Sequence, residues 1–288
     1  MHINRNYELP YRTVDILATR LKSLHAARFV HGLVGQLDWT YGGVSGAGPA
    51  LLKPQTIWCD GIAQLTAARG CKDRRWMQRG IADLKGTDLF DKLEQPDPKR
   101  VTFLISSRFR TSLLSKKTEH GFAKMQSDDL ADSVSIEEAI FVMLVRLCEG
   151  RKWPVFNLPY RPASEKSRYA GGEANTALGK AATDLNVQTC GAQVCEWAAA
   201  KKRWCRAAER VAFRLGHSYL IAPYRGPLDP GISQVRVKIQ HQNTKWQPER
   251  LYKFPAGHGR VIQVMPGERH RSLSQNELRE RLRDTVIW

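Results

Sequence analysis

The sequence lacks the cysteine and histidine spacings of a metal-binding module. Its six cysteines are Cys59, Cys71, Cys148, Cys190, Cys195 and Cys205. None forms a C-x-x-C pair, and no histidine pair stands at zinc-finger spacing. Free, partly buried thiols in a reducing compartment are therefore expected, with no metal and no cofactor. No apolar run approaches the ~20 residues that span a bilayer. Met1 to Pro10 also lacks the apolar centre of a signal peptide, so the expectation is a soluble cytoplasmic protein without a membrane partner. The glycine-rich run Tyr41 to Pro49 does not end in Gly-Lys-Ser/Thr, which excludes a phosphate-binding loop there. There is no His-hydrophobic-His motif with a following tyrosine, and no carboxylate cluster in a basic context. Relaxase and two-metal nuclease chemistry are accordingly not expected, and no residue is assigned a catalytic role.

Positive charge is what the chain has in excess. Over 288 residues, 45 Lys and Arg face 28 Asp and Glu, a formal net charge of +17. Such a balance attracts polyanions with an affinity that falls as salt rises. The excess is uneven: Lys201 to Trp288 holds eighteen basic residues against seven acidic ones. The apolar share, 42%, is ordinary for a folded protein, and the length suits two domains.

Residues 57 to 106 carry the most informative order. Asp60 is placed to cap a short helix bearing Ile62, Ala63, Leu65 and Thr66, and Gly70-Cys71-Lys72 offers a break. Asp73 is placed to cap a second helix whose Trp76, Met77, Ile81 and Leu84 recur at helical period. Arg74, Arg75, Gln78, Arg79 and Lys85 occupy the remaining positions, while Gly80 weakens the helix. Pro96 to Arg100 reads as a loop and Val101 to Ile105 as a strand. Short helix, turn, basic helix, basic loop and strand is the order of a winged helix-turn-helix, in which the second helix enters the major groove and the loop meets flanking phosphates.

Either side, residues 11 to 41 read as helix, with Gly32 and Gly35 as the place where it would divide in two. His25 and His31 read as polar edge residues. Ser135-Ile-Glu-Glu138 is a capping box opening the apolar helix to Cys148, which should be buried. Trp153 to Tyr160 is extended, and Arg161 to Gly172 an exposed linker or binding loop. Then the pattern repeats: helix Ala174 to Asn186, turn Val187 to Gly191, and helix Ala192 to Leu215. Strands Tyr219 to Ala222 and Ile232 to Ile239 follow. Val235, Val237 and Ile239 face one way and Arg236 and Lys238 the other. Beyond them lie a strand near Gly259 to Met265 and a second capping box, Ser274 to Glu277. The chain is thus expected to be α+β and mainly helical, with two tandem winged helix-turn-helix domains (1-125 and 126-240) and a basic C-terminal extension (241-288).

This layout resembles the iteron-binding plasmid replication initiators built from two tandem winged helices. It does so through residues 57 to 106, the strand-then-helix segment Val101 to Phe109, the serine-capped helix Ser135 to Glu149, and the second winged helix from about 174 to 240. The resemblance implies that Asp73 to Lys85 and Ala192 to Leu215 lie in successive major grooves of a repeated site.

The function expected is sequence-specific binding of double-stranded DNA without catalysis, as a replication initiator or regulator of a plasmid, phage or mobile element. A homodimer on a palindrome is one form of it. The DNA-binding candidates are Lys72, Arg74, Arg75, Gln78, Arg79, Lys99 and Arg100 in the first half. In the second half they are Lys201, Lys202, Arg203, Arg206, Arg210, Arg225, Arg236 and Lys238. Arginine suits guanine and glutamine adenine, while the loop residues suit phosphates. The competing class is an RNA-binding ribonucleoprotein subunit or an RNA-processing endoribonuclease, for which His217, His241, His258 or His270 would act as acid or base.

Overall fold

The computed structural model describes residues 5–68, 71, 73–115, 121–151, 154–159, 188–225, 233–240 and 262–264; from 188 onward, side chains are described for 200–221, 235–239 and Val264. Among the described residues the chain is α+β, with helices, three small sheets and no barrel. It divides into two compact units, Met1–Gly150 and Arg151–Trp288. The sequence pattern sets that boundary at 125, ahead of the last two helices of the first unit. No described helix is long and apolar enough to cross a membrane.

The first unit opens with β1 (Asn6–Pro10), α1 (Tyr11–Arg20) and α2 (Leu24–Thr40). The break between the helices falls at 21–23, where the Ser23 hydroxyl accepts the Ala26 amide, and not at Gly32 and Gly35. Those glycines sit inside α2, where neighbours come closest. A Cβ on Gly32 would stand 2.6 Å from the Thr66 hydroxyl and 2.7 Å from Ile62. After the loop from Tyr41, in which Gly42 and Gly43 take positive φ, come β2 (Gln55–Trp58), α3 (Cys59–Thr66) and α4 (Arg75–Leu84). Then follow β3 (Phe90–Asp97), β4 (Arg100–Ile105), α5 (Ser107–Leu113), β5 (Phe122–Gln126), α6 (Ser127–Ala131) and α7 (Ile136–Cys148).

The helix α2 is the hub, packing on α3, α4, α6 and β1. On α4 the residues Trp76, Met77, Gly80, Ile81 and Leu84 are buried, as their period requires. Gly80 is a spacer here and not a weak point: a Cβ there would lie 2.6 Å from the His25 carbonyl oxygen of α2. The sheet runs β2-β4-β3, all antiparallel, with Val101, Phe103 and Ile105 inside. The strand β3 holds Pro96, tolerable because this is a sheet edge, and its pairing with β4 slips between Glu94 and Asp97. A second, two-stranded sheet pairs β1 with β5.

Charged side chains tie α7 and α2 to α6. The Arg146 guanidinium donates to both carboxylate oxygens of Asp129, at 3.0 and 3.1 Å. Arg28 donates to the carbonyls of Leu130 and Ala131, which end α6, and of Ser133 beyond it. Ser135 accepts the Glu138 amide as a capping box demands, whereas the Glu138 carboxylate takes the amide of Val134. His31 is fully buried in α2 and not an edge residue; its Nδ1 lies 2.6 Å from the Tyr7 hydroxyl. Burial pushes the His31 imidazole down to about 3 and the Tyr7 phenol well up.

The second unit has β6 (Val155–Asn157), α8 (Gln188–Leu215), β7 (Ser218–Arg225), β8 (Ser233–Gln240) and β9 (Ile262–Val264). Its sheet order is β6-β8-β7-β9. The turn expected at 187–191 is helical from Gln188 onward, because α8 extends through it. The linker, the helix at 174–186 and the capping box at 274–277 lie outside the described residues.

Two consequences can be measured. An unhindered helical glycine replaced by alanine gains about 0.5–1 kcal/mol. Gly80→Ala instead drives a methyl into a backbone carbonyl and should lower stability by about 1–3 kcal/mol in urea unfolding. Gly150→Ala, with nothing within 4 Å of the added Cβ, should be neutral or better. Acid sensitivity follows from His31. The unfolded histidine takes its proton near 6.5 and the folded one only near 3. The stability this contributes is intact above pH 6.5 and declines on acidification by up to about 1.4 kcal/mol per pH unit. His31→Asn should flatten unfolding free energy against pH between about 6.5 and 5.

Candidate nucleic-acid interface

The outward side of α4 is polar because its inward stripe is complete. Arg74, Arg75, Gln78, Arg79, Ala82 and Lys85 are exposed. Arg75, Gln78 and Arg79 stand three and four residues apart, so they share one face, with small Ala82 a turn further on. The start of α4 is tied down by acids. Asp73 accepts the Arg75 amide at 2.8 Å and pairs with its guanidinium, so these two bonds hold the Asp73 carboxyl below its ordinary range. Asp60 lies in the first turn of α3 and does not cap it; its carboxylate pairs with Arg74. No described ion pair engages Arg79. Lys72 lies outside the described residues.

The β3–β4 hairpin is fastened to the same place. At its tip Asp97 accepts the Lys99 amide at 2.7 Å, and the Lys99 carbonyl takes the Cys59 amide, which opens α3, at 2.8 Å. Cys59 itself is buried, and burial pushes its thiol up. Lys99 and Arg100 are exposed. The Arg100 guanidinium lies 4.5 Å from the ring centre of Trp58, its cross-strand partner, and that indole is 55% exposed. One patch therefore gathers Arg74, Lys99, Arg100 and Trp58. Trp58 is absent from the sequence-based candidates; the signal available was a tryptophan next to the α3 start, in reach of the basic loop.

In the second unit, Lys201, Lys202, Arg206 and Arg210 are exposed on α8, and Arg203 is half-buried. Lys202, Arg206 and Arg210 recur every four residues, a cationic row whose members repel by a few tenths of a kcal/mol each. Phe213 stands 63% exposed beyond its end, while Trp204, Ala208 and Val211 are buried. Arg225 belongs to β7. Arg236 is half-buried, its Nε 3.4 Å from the Asn157 amide oxygen. Lys238 is buried within the sheet, and burial pushes its ammonium down to about 8. A lysine so placed is poorly suited to meeting a phosphate. His217 is half-buried after α8; His241, His258 and His270 lie outside the described residues.

Among the described residues no cluster of three His, Cys, Asp or Glu is arranged for a metal ion. Cys59, Cys71, Cys148 and Cys205 form no disulfide. No family model, curated protein or solved structure matches the chain.

The Trp58–Arg100 contact is exposed, so its worth is modest. A double-mutant cycle with Trp58→Ala and Arg100→Ala should give a coupling of about 0.5–1 kcal/mol in urea unfolding. Zero coupling would leave the two side chains merely adjacent.

Proposed function

We propose that this chain is a sequence-specific double-stranded DNA-binding protein, a replication initiator or transcription regulator, built on two winged-helix domains. The observation that carries the reading is a repeated strand order. In the first unit a strand precedes two helices, the second of them basic, and a hairpin follows; the first strand pairs with the last, giving β2-β4-β3. In the second unit β6, the basic α8 and the β7–β8 hairpin give β6-β8-β7. Strand, basic helix and hairpin in this connection suit a recognition helix braced by a wing.

In this reading Gln78 and Arg79 meet base edges, with Arg75 beside them. Arg79 suits the O6 and N7 of guanine and Gln78 the N6 and N7 of adenine. Asp73 holds Arg75 in place until a base or phosphate replaces the carboxylate. Lys99 and Arg100 at the hairpin tip meet phosphates and set the register, as does Arg225 in the second hairpin. The exposed row on α8 supplies the second helix.

The test is a pair of substitutions read against sequence and salt. Arg79→Ala should weaken binding to the preferred site by about 1–3 kcal/mol and relax preference at one position, leaving random duplex DNA little affected. Lys99→Ala should weaken binding to all duplexes alike and reduce the salt slope by about 1. Equal loss on every sequence for Arg79→Ala would make it a phosphate contact and defeat the assignment of α4 as the reader.

A further inference from the structure

A groove of about 320 Å³ lies between α1 and α5, away from the α4 start and the hairpin tip, lined by Arg12, Ile16, Ser107, Arg108, Thr111 and Ser112. We propose that it is a second seat for the sugar-phosphate backbone of a nucleic-acid strand, binding without regard to sequence. The proposal rests on the DNA-binding reading above and adds to it a contact that the sequence did not suggest.

Two guanidinia, Arg12 from α1 and Arg108 from α5, are contributed by facing helices, and both residues are exposed. Arg108 is held by Asp88 at 2.9 Å, and the same carboxylate oxygen takes Arg20 at 3.1 Å. The lining of the groove includes Arg12 and Arg108 and no carboxylate. Between the arginines lie hydroxyls. Two of these have their protons committed within α5, Thr111 donating to the Ser107 carbonyl at 2.9 Å and Ser112 to the Phe109 carbonyl at 2.7 Å, so the donors left for a phosphate are the two guanidinia. Ile16 gives the groove an apolar wall on which a sugar can rest. No aromatic ring lines it to stack a base, and its polar groups match no base edge, so what it suits is a phosphodiester. Arginine is the side chain that grips such a group in a planar fork.

Its position suits a strand flanking the one that α4 reads. Asp88 lies just after α4, and the Ser23 hydroxyl pairs with Asp83 in the last turn of that helix. The groove therefore borders the far end of α4. A ten-residue helix is about 15 Å long, close to the ~12 Å width of a major groove. A helix lying in that groove with its start among the bases brings its other end to the opposite backbone.

The experiment titrates the full chain with a random-sequence duplex and with its preferred site over a range of salt. Arg12→Ala/Arg108→Ala should weaken both duplexes several-fold and lower the slope of log affinity against log salt by about two, at roughly 0.9 per phosphate. Thr111→Glu, at an exposed position, should weaken both in the same way without removing an arginine, and its thermal unfolding should match that of the parent chain. Unchanged affinity and slope in both variants would overturn the groove while leaving the role of α4 intact. If Arg79→Ala also spares the preferred site while the groove variants weaken every duplex, base reading by α4 fails and the backbone seat stands. A parent chain with no salt-dependent duplex binding overturns both.

Discussion

The first unit depends on how closely α2 approaches the two helices beside it. Gly32 lets α3 lie against α2, and Gly80 lets α4 do so, each at a point where a single methyl would meet an atom less than 3 Å away. That contact turns Trp76, Met77, Ile81 and Leu84 inward and leaves Arg75, Gln78 and Arg79 no choice but to face out. The display of charge on α4 is thus a by-product of packing. The same contact carries α3, whose first amide binds the hairpin tip, so helix and hairpin hold a fixed relation.

Electrostatics divides between the interior and the surface. Inside, Arg146 with Asp129 and Arg28 with the end of α6 are charged groups fully satisfied by partners, which is the condition under which buried charge is tolerable. Outside, Asp60 and Asp73 neutralise two arginines at the start of α4, and such exposed pairs contribute little to stability. Their use in the proposed function is to order Arg74 and Arg75 in advance, so that less side-chain entropy is lost when a polyanion arrives.

Much of this was legible in sequence because it rests on periodicity. The α4 stripe, the Ser135 N-cap and the buried helix α7 followed from spacing alone, as did the second hairpin, while the Glu138 half of the expected capping box goes to Val134 instead. What was hidden depended on contacts remote in the chain. The strand β3, Phe-Asp-Lys-Leu-Glu-Gln-Pro-Asp, has the composition of a loop and is a strand because β4 pairs with it. The strands β1 and β5 are short and stand over a hundred residues apart. Gly32 and Gly80 look like helix breakers until their neighbours are known. Lys238 alternates with apolar residues as a surface lysine would, yet its side of the sheet is covered. Trp58 gains meaning only through its register with Arg100, and the α1–α5 groove only through a helix pair no spacing predicts.

The central claim is that α4 presents a base-reading face to duplex DNA. Repeated selection of bound sequences from a pool of random duplexes, scored at low and moderate salt, addresses it most directly. The account predicts enrichment of a defined consensus that survives the rise in salt. Recovery of the unselected pool at every salt, or preferential retention of RNA over duplex DNA in the same assay, would contradict it.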